Sequence, residues 1–327
     1  MKPIIRKEWR QLSIKERKKF TAAVVCLTKL PSKAPAGESP GARHRYDDFN
    51  SVHIIMANGL NTATGGVHLV GFFWQWHRYF IHLFEKALRN ECGWEGGLPY
   101  WDWSIDASSL VPLEDWPIYN AKHGFGGNGP YVAIQPVTYS WPYMAGQTGG
   151  GCVKDGPFKN VTINVGPGQS LAYKPHCLHR GLNPTTIPFL QPSAVAYALE
   201  SEDYLTWDSR AQAPPDITPA RGITTFHGSG HYIQGGDSTD YISSTSEPIF
   251  WLHHAYLDKL YWQWQSKNLT GRLSEVGGPT IPFHPASGPV TLEQPLNVHW
   301  EGDTIPLKKV MDIKGNAHGG FLCYDYQ

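Results

Sequence analysis

His227 and His231, in the run HGSGH, stand four residues apart, a spacing that puts both imidazoles on one helix face about one turn apart. Taken alone, such a pair is more often a packing or surface feature than a ligand set. His254 follows inside SEPIFWLHHAYLDKLYWQWQSKN, an amphipathic stretch whose Ser246 and Glu247, with Pro248 in the first turn, read as a helix start. His53 lies within RYDDFNSVHIIMANG, where acids precede apolar residues at helical spacing and Gly59 ends the run. His77 sits in the first half of a longer helix over about VGFFWQWHRYFIHLFEKALRNECG, closed by Gly93, and His68 stands just before it. Two sets of three imidazoles on separate helices are reconciled only if those helices face a common interior. The expectation is a mainly α protein, a four-helix bundle around a histidine-lined centre, with long loops and a few short peripheral strands.

The remaining segments fill in around that bundle. Ser13 and Glu16 form a capping box ahead of FTAAVVCLTKL, a helix that ends before Pro31. From about 104 to 222 the chain breaks into Gly- and Pro-rich loops such as HGFGGNGP, GQTGGG and NVGPG, which read as a cap and not as a second core. From 270 onward, PTIPF, VTLEQPL and TIPLKKVMDI have the short apolar runs and prolines of outer strands. With no internal repeat and no low-complexity linker, residues 1–327 read as one domain. Its parts are a first histidine half at about 40–103, the loop-rich cap at 104–222, a second half at 223–267, and C-terminal strands over 270–327.

Charge and cysteine usage narrow the function classes. Lys plus Arg and Asp plus Glu both number 28, so the chain has no general attraction for a nucleic acid. No run approaches the roughly 18–20 apolar residues of a membrane-spanning helix. The start MKPIIRKEWR lacks the apolar core of a signal peptide. The five cysteines contain no CxxC pair, which removes a zinc ribbon or a thioredoxin-like site. Cys152 with Cys177, bracketing one loop, is the expected disulfide, and the odd count leaves at least one thiol over. Two Asn-x-Thr triplets, at Asn160 and Asn268, fit a secreted, extracellular glycoprotein whose leader has been removed.

Neutral imidazole suits copper, zinc, iron and nickel, whereas calcium and magnesium require oxygen. Paired iron or zinc sites usually recruit bridging carboxylates, and no Glu with a Glu-x-x-His partner stands at matching helix positions. Two copper ions fit best, each held by three histidines with a position left open for dioxygen and a phenol. Asp258, one turn after His254, is placed to accept a hydrogen bond from the ring nitrogen facing away from a metal. His44 competes with His53, but His53 lies inside its helix and His44 at the entrance. His253 points about 100° away from His254 and reads as a packed or hydrogen-bonded neighbour.

FFWQWHRYFIHLFEKALRNECG followed by PYWDW, the loop GFGGNGP, HGSGHYIQGG and EPIFWLHHAYLDKLYWQWQ together resemble the type-3 copper proteins. Among these the resemblance is to the short secreted fungal polyphenol oxidases of the tyrosinase and catechol oxidase group. Arg6 in RKEWR and Tyr324-Asp-Tyr326 are similar to that family's N-terminal arginine and closing Y-x-Y signature, which would mark the catalytic domain as complete. The resemblance implies that His53, His68 and His77 bind the first copper and His227, His231 and His254 the second. It also implies oxidation of o-diphenols to o-quinones, with dioxygen as co-substrate and small phenols as partners. An oxygen carrier of the hemocyanin kind and a dizinc hydrolase are the alternative readings of the same histidines.

The chain departs from the family pattern in two places. Many relatives join the second ligand to a nearby Cys by a thioether, but Gly65, Gly66 and Val67 precede His68 here, so no such link forms. Monophenol hydroxylation in the family is associated with a water-holding Glu and Asn. The Asn belongs immediately after His227, where this chain has Gly228, and WDSRAQAPPDITPARG offers no acid in register as the Glu. Diphenol oxidation with weaker monophenol hydroxylation is the implied activity. Tyr232, one residue after His231, resembles a residue at the pocket mouth that stacks on flat phenols. Tyr241, thirteen residues before His254, matches a gate over the second copper, and Phe250, one turn before His254, is placed to wall the copper pair.

Overall fold

The computed structural model describes residues 2–58, 66–133, 145–212, 225–282 and 284–327. Strand β1 (Ile4–Arg6) precedes helix α1 (Ile14–Leu27), which starts at the expected capping box: Ser13 Oγ accepts from the Glu16 N–H, and the Glu16 carboxylate accepts from the Ser13 N–H. Helix α2 (Arg45–Ala57) is capped by His44, whose Nδ1 accepts from the Asp47 N–H while Nε2 lies 2.9 Å from the Thr162 carbonyl. Both His44 nitrogens are thereby occupied. Gly59, expected to end α2, lies outside the described residues.

Helix α3 (Phe73–Cys92) closes at Gly93 in the left-handed conformation, φ 67°, as its C-terminal sequence predicts. It begins later than its apolar periodicity suggests. Leu69 takes φ 57°, and a Cβ on Gly71 would meet the Gly277 carbonyl at 1.6 Å, so the segment before Phe73 is held in a tight turn. The loop-rich stretch contains α4 (Trp103–Ala107), β2 (Thr162–Ile163), β3 (His176–Cys177), α5 (Pro192–Leu199) and α6 (Tyr204–Ala211). These helices run one or two turns, too short to leave a readable period in the sequence.

Helix α7 (Phe226–Tyr232) carries HGSGH, and α8 (Phe250–Ser266) carries His254. Helix α8 starts at Phe250 and not at Ser246, after a separate 3-10 turn over Ser244–Ser246. The Ser246 hydroxyl accepts from Asn50 of α2 at 2.9 Å, and Glu247 forms a fully buried ion pair with Arg180 at 2.8 Å. Arg180 also donates to the carbonyls of Phe125, Gly126 and Gly127, which gives the GFGGNGP loop its place in the fold. Strands β4 (Pro295–Leu296) and β5 (Ile305–Pro306) pair antiparallel, as do β2 and β3. Strand β6 (Tyr324–Tyr326) runs parallel to β1, with Ile4 opposite Tyr324 and Arg6 opposite Tyr326.

Helices α3 and α8 form the central pair, with the Phe84 and Trp251 rings stacked 3.7 Å apart between them. Helix α1 packs on α3, α7 on α8, and α2 docks through the Tyr46 hydroxyl on the Thr245 carbonyl at 2.7 Å. The helices that deliver the histidines are therefore α2, α3, α7 and α8, and α1 lies outside that group. A buried ionic cluster locks the central pair. Arg6 Nε reaches Glu85 of α3 at 2.9 Å, and its guanidinium lies 3.6 Å over the Tyr324 ring. Arg6 and Arg78 both pair with Asp258 of α8, which also accepts from the Tyr324 and Tyr326 hydroxyls. This corrects the expectation for Asp258: its oxygens face two guanidinium groups and two phenols, and no hydrogen bond runs from it to His254. Burial alone would raise the Asp258 carboxyl, but Arg78 and Arg6 hold it below the usual range.

The expected disulfide between Cys152 and Cys177 is present, and a second joins Cys26 of α1 to Cys92 of α3. Cys323 stays outside both. Among the described residues no helix is long and apolar enough to cross a membrane.

Candidate metal centre

Helix α2 supplies His53, the turn before α3 supplies His68, and α3 supplies His77. Their ring centroids lie 5.2 Å (His53–His68), 5.9 Å (His53–His77) and 5.3 Å (His68–His77) apart. Helices α7 and α8 supply His227, His231 and His254, with centroids 5.1, 5.6 and 5.2 Å apart. The two groups meet where His77 stacks on His254 at 4.6 Å. In each cluster the donor atoms come within 4.8 Å of one another, and among the described residues neither cluster contains a carboxylate or a thiol. His253 joins the second cluster by distance alone. Its Nδ1 accepts from the Trp103 indole at 3.3 Å and its Nε2 faces the His227 carbonyl at 3.0 Å, so both nitrogens are engaged. Gly230 makes room for that ring, since a Cβ there would stand 2.1 Å from His253 Cε1.

The main chain orients the imidazoles. His53 Nδ1 lies 2.8 Å from the Ile242 carbonyl and His77 Nδ1 lies 2.9 Å from the Phe73 carbonyl. A carbonyl can only accept, so each Nδ1 carries the proton and each Nε2 presents a lone pair. The main chain of Gln212 lies beside the His227 ring, and His231 Nδ1 lies 3.4 Å from Ser238 Oγ.

The opposite ring atoms test whether a metal fits. Nε2 of each of His53, His77 and His227 is buried and has no partner among the described residues. A buried polar atom left unpaired costs about 1–3 kcal/mol, so this concentration of them is strained unless an acceptor of lone pairs sits between the rings. Nε2 of His231 and of His254 lie 3.2 Å apart, close to the separation of two nitrogens each about 2.0 Å from one ion. Burial pushes all six imidazoles below their ordinary range, His53 to about 4 and His227 to about 3, and neighbouring histidines add to the shift of all but His53. Each ring is therefore neutral at physiological pH, the form that binds metal.

Two phenylalanines wall the space. Phe250 lies one turn before His254, with its ring 4.1 Å from His254, 5.3 Å from His53 and 5.7 Å from His231. Phe73 lies one turn before His77, with its ring 4.3 Å from His77 and 4.7 Å from His227. Phe73 escapes the sequence argument although its signal is present: F-x-x-x-H occurs on both α3 and α8. Tyr241 meets His68 edge-on at 6.1 Å, on the first cluster and not over the second as expected. The reason is the small apolar cluster of Ile54, Ala57, Val165 and Ile242 beside α2, against which Tyr241 packs. Tyr232 is 6% exposed, which is more enclosed than a pocket mouth requires. Gly228 is partly exposed directly after His227.

Facing imidazole clusters in a helical bundle, with nitrogen as the only donor, define a class: a binuclear site for a borderline or soft transition metal. Residues 43–267 match the tyrosinase family profile described as the common central domain of tyrosinase. The chain is 34% identical to the tyrosinase-like protein phomQ1' of Diaporthe leptostromiformis, over 99% of its own length and 80% of the relative's. It is 32% identical to Tyrosinase P of Aspergillus terreus, over 99% and 92%. Its fold superposes on a glycine-to-asparagine variant of a polyphenol oxidase from Thermothelomyces thermophila with a TM-score of 0.84 at 30% identity, covering 99% of this chain and 89% of that one. The chain belongs to the tyrosinase family of type-3 copper proteins, which are copper-dependent oxidoreductases acting on phenols, and its histidine clusters are consistent with the family's dicopper centre.

Proposed function

We propose that this protein is a dicopper polyphenol oxidase that converts o-diphenols to o-quinones, with dioxygen as co-substrate and weaker hydroxylation of monophenols. The observation that carries this reading is the convergence of buried, neutral, unpartnered ring nitrogens from two facing histidine triads. His53, His68 and His77 would hold one copper, and His227, His231 and His254 the other. The copper pair, when bound, supplies the electron-transfer chemistry that couples oxidation of the phenol to reduction of dioxygen. Two catechols give two quinones while one dioxygen becomes two waters, so protons and electrons balance without a further reductant.

The protein's own contribution is positioning. Carbonyls of Ile242 and Phe73 fix the tautomers of His53 and His77, so no ring must rotate or lose a proton to bind metal. Phe73 and Phe250 exclude water from the space between the rings and offer aromatic faces to a flat guest. Gly228 has no side chain to orient a water beside His227, which favours substrates that need no proton relay. Disulfides and the exposed acceptors Asn160 and Asn268 support a secreted glycoprotein built as one domain. The test is oxygen uptake with catechol and with p-cresol, before and after copper removal. The expected result is rapid catechol oxidation, slower cresol oxidation, loss of both on chelation, and recovery with cupric but not zinc ions. Absence of uptake in protein carrying two coppers would overturn the proposal.

A further inference from the structure

His68 differs from the other site histidines in how it is held. It belongs to no helix, it precedes a residue with φ 57°, and its Nδ1 has no partner among the described residues, where His53 and His77 use that atom to grip a carbonyl. A left-handed leucine is costly unless surrounding bonds over-determine it. The bond that does so comes from the C-terminal end of α6. Gln212 Oε1 accepts the Leu69 N–H at 2.6 Å, and Gln212 Nε2 donates to Asp208 Oδ1 at 2.8 Å. Asp208 Oδ1 is itself anchored by the Trp74 indole at 2.7 Å, so the glutamine amide cannot turn over without losing both partners. The same residue's main-chain carbonyl accepts from Thr225 Oγ1 at 2.7 Å, which ties down the start of α7 two residues before His227 and beside its ring. Gln212 is 5% exposed.

We propose that Gln212 is a positioning residue that sets both histidine clusters through separate atoms: its side chain fixes the His68 turn, and its main chain fixes His227. This rests on the reading that the two triads hold copper. The division of labour makes a selective prediction, because a side-chain substitution removes the support of His68 and leaves the carbonyl that supports His227 in place. Loss of an outer hydrogen bond to a metal site typically weakens metal binding about 10–100-fold.

The experiment is equilibrium dialysis of the full chain against buffered cupric ion, counting copper per chain, with the thermal midpoint of the metal-free protein recorded in parallel. Gln212→Met keeps the volume and deletes both side-chain bonds. It is expected to take up one copper at concentrations where wild type takes two, with the second binding about 10–100-fold more weakly. Gln212→Glu combined with Asp208→Asn restores an acceptor for Leu69 without opposing carboxylates and is expected to recover two. Should wild type itself bind fewer than two coppers, the dicopper reading falls, whatever Gln212 does. If wild type and Gln212→Met bind two with equal affinity, only the role of Gln212 is overturned. The same holds if Gln212→Met loses both coppers together, or if the doubly substituted chain behaves like Gln212→Met.

Discussion

Single atoms decide much of this site. The ring of His253 is neutral, hydrogen-bonded at both nitrogens, and pressed against the bare Cα of Gly230. Gly230→Ala puts a methyl where a rigid, buried imidazole already stands, and overpacking of this kind costs about 1–3 kcal/mol. A lower thermal midpoint and weaker binding at the His227, His231, His254 cluster are expected, read by calorimetry and copper titration. Gly228 is a different case, a partly exposed glycine beside His227. Gly228→Asn is expected to raise the monophenol to diphenol rate ratio by about tenfold, less than a fully positioned base provides because no partner acid accompanies it. Steady-state rates with p-cresol and catechol measure the ratio, and an unchanged value would remove the glycine from the account of substrate preference.

Between elements, charge and hydrogen bonding fix what hydrophobic contact leaves loose. Asp258 is the one anion facing both Arg78 and Arg6 across the α3–α8 pair. Asp258→Asn leaves Arg6 with Glu85 and takes from Arg78 its carboxylate partner, and is expected to destabilise the fold by about 3–5 kcal/mol, measured by denaturant unfolding. Asp208 works in the other sense. Burial raises its carboxyl to about 7, against the lowering effect of the Trp74 and Gln212 hydrogen bonds. Because the folded state holds this proton more tightly than the unfolded chain, its contribution to stability is complete below about pH 4 and is lost as pH rises through about 7, at about 1.4 kcal/mol per unit. Both donors land on Oδ1, an atom asparagine retains, so Asp208→Asn is expected to match wild type near pH 4 and to melt at higher temperature than wild type at pH 8. Elements of this kind mark the limit of what the sequence discloses. His53, His77, His227, His231 and His254 were legible because a helix turns spacing into direction, and Gly93 and Ser13 because turns and caps have few chemical solutions. Gln212, Glu85 and the cap at His44 were not, since each acts through partners dozens of residues away, or in a role its residue type seldom takes. Asp258 was legible as an acid one turn from His254, but its partners come from α3 and from the first and last strands, and no local period announces them.

At the scale of the whole molecule, covalent and ionic ties join segments made far apart. The Cys26–Cys92 bridge spans 66 residues and Cys152–Cys177 spans 25. On the chain-entropy account these contribute about 4 and about 3 kcal/mol, so reduction by dithiothreitol is expected to lower the thermal midpoint, with Cys26→Ser costing more than Cys152→Ser. The pairing of β1 with β6 has a different kind of consequence. Arg6 of β1 and Tyr326 of β6 stand 320 residues apart in the chain, yet Arg6, Tyr324 and Tyr326 all close around Asp258. Without β6, a chain that carries every imidazole would still expose Arg6, Arg78 and Asp258, which Tyr324 and Tyr326 cover. Loss of the β1–β6 pairing is thus expected to loosen the α3–α8 pair although every imidazole of the site remains.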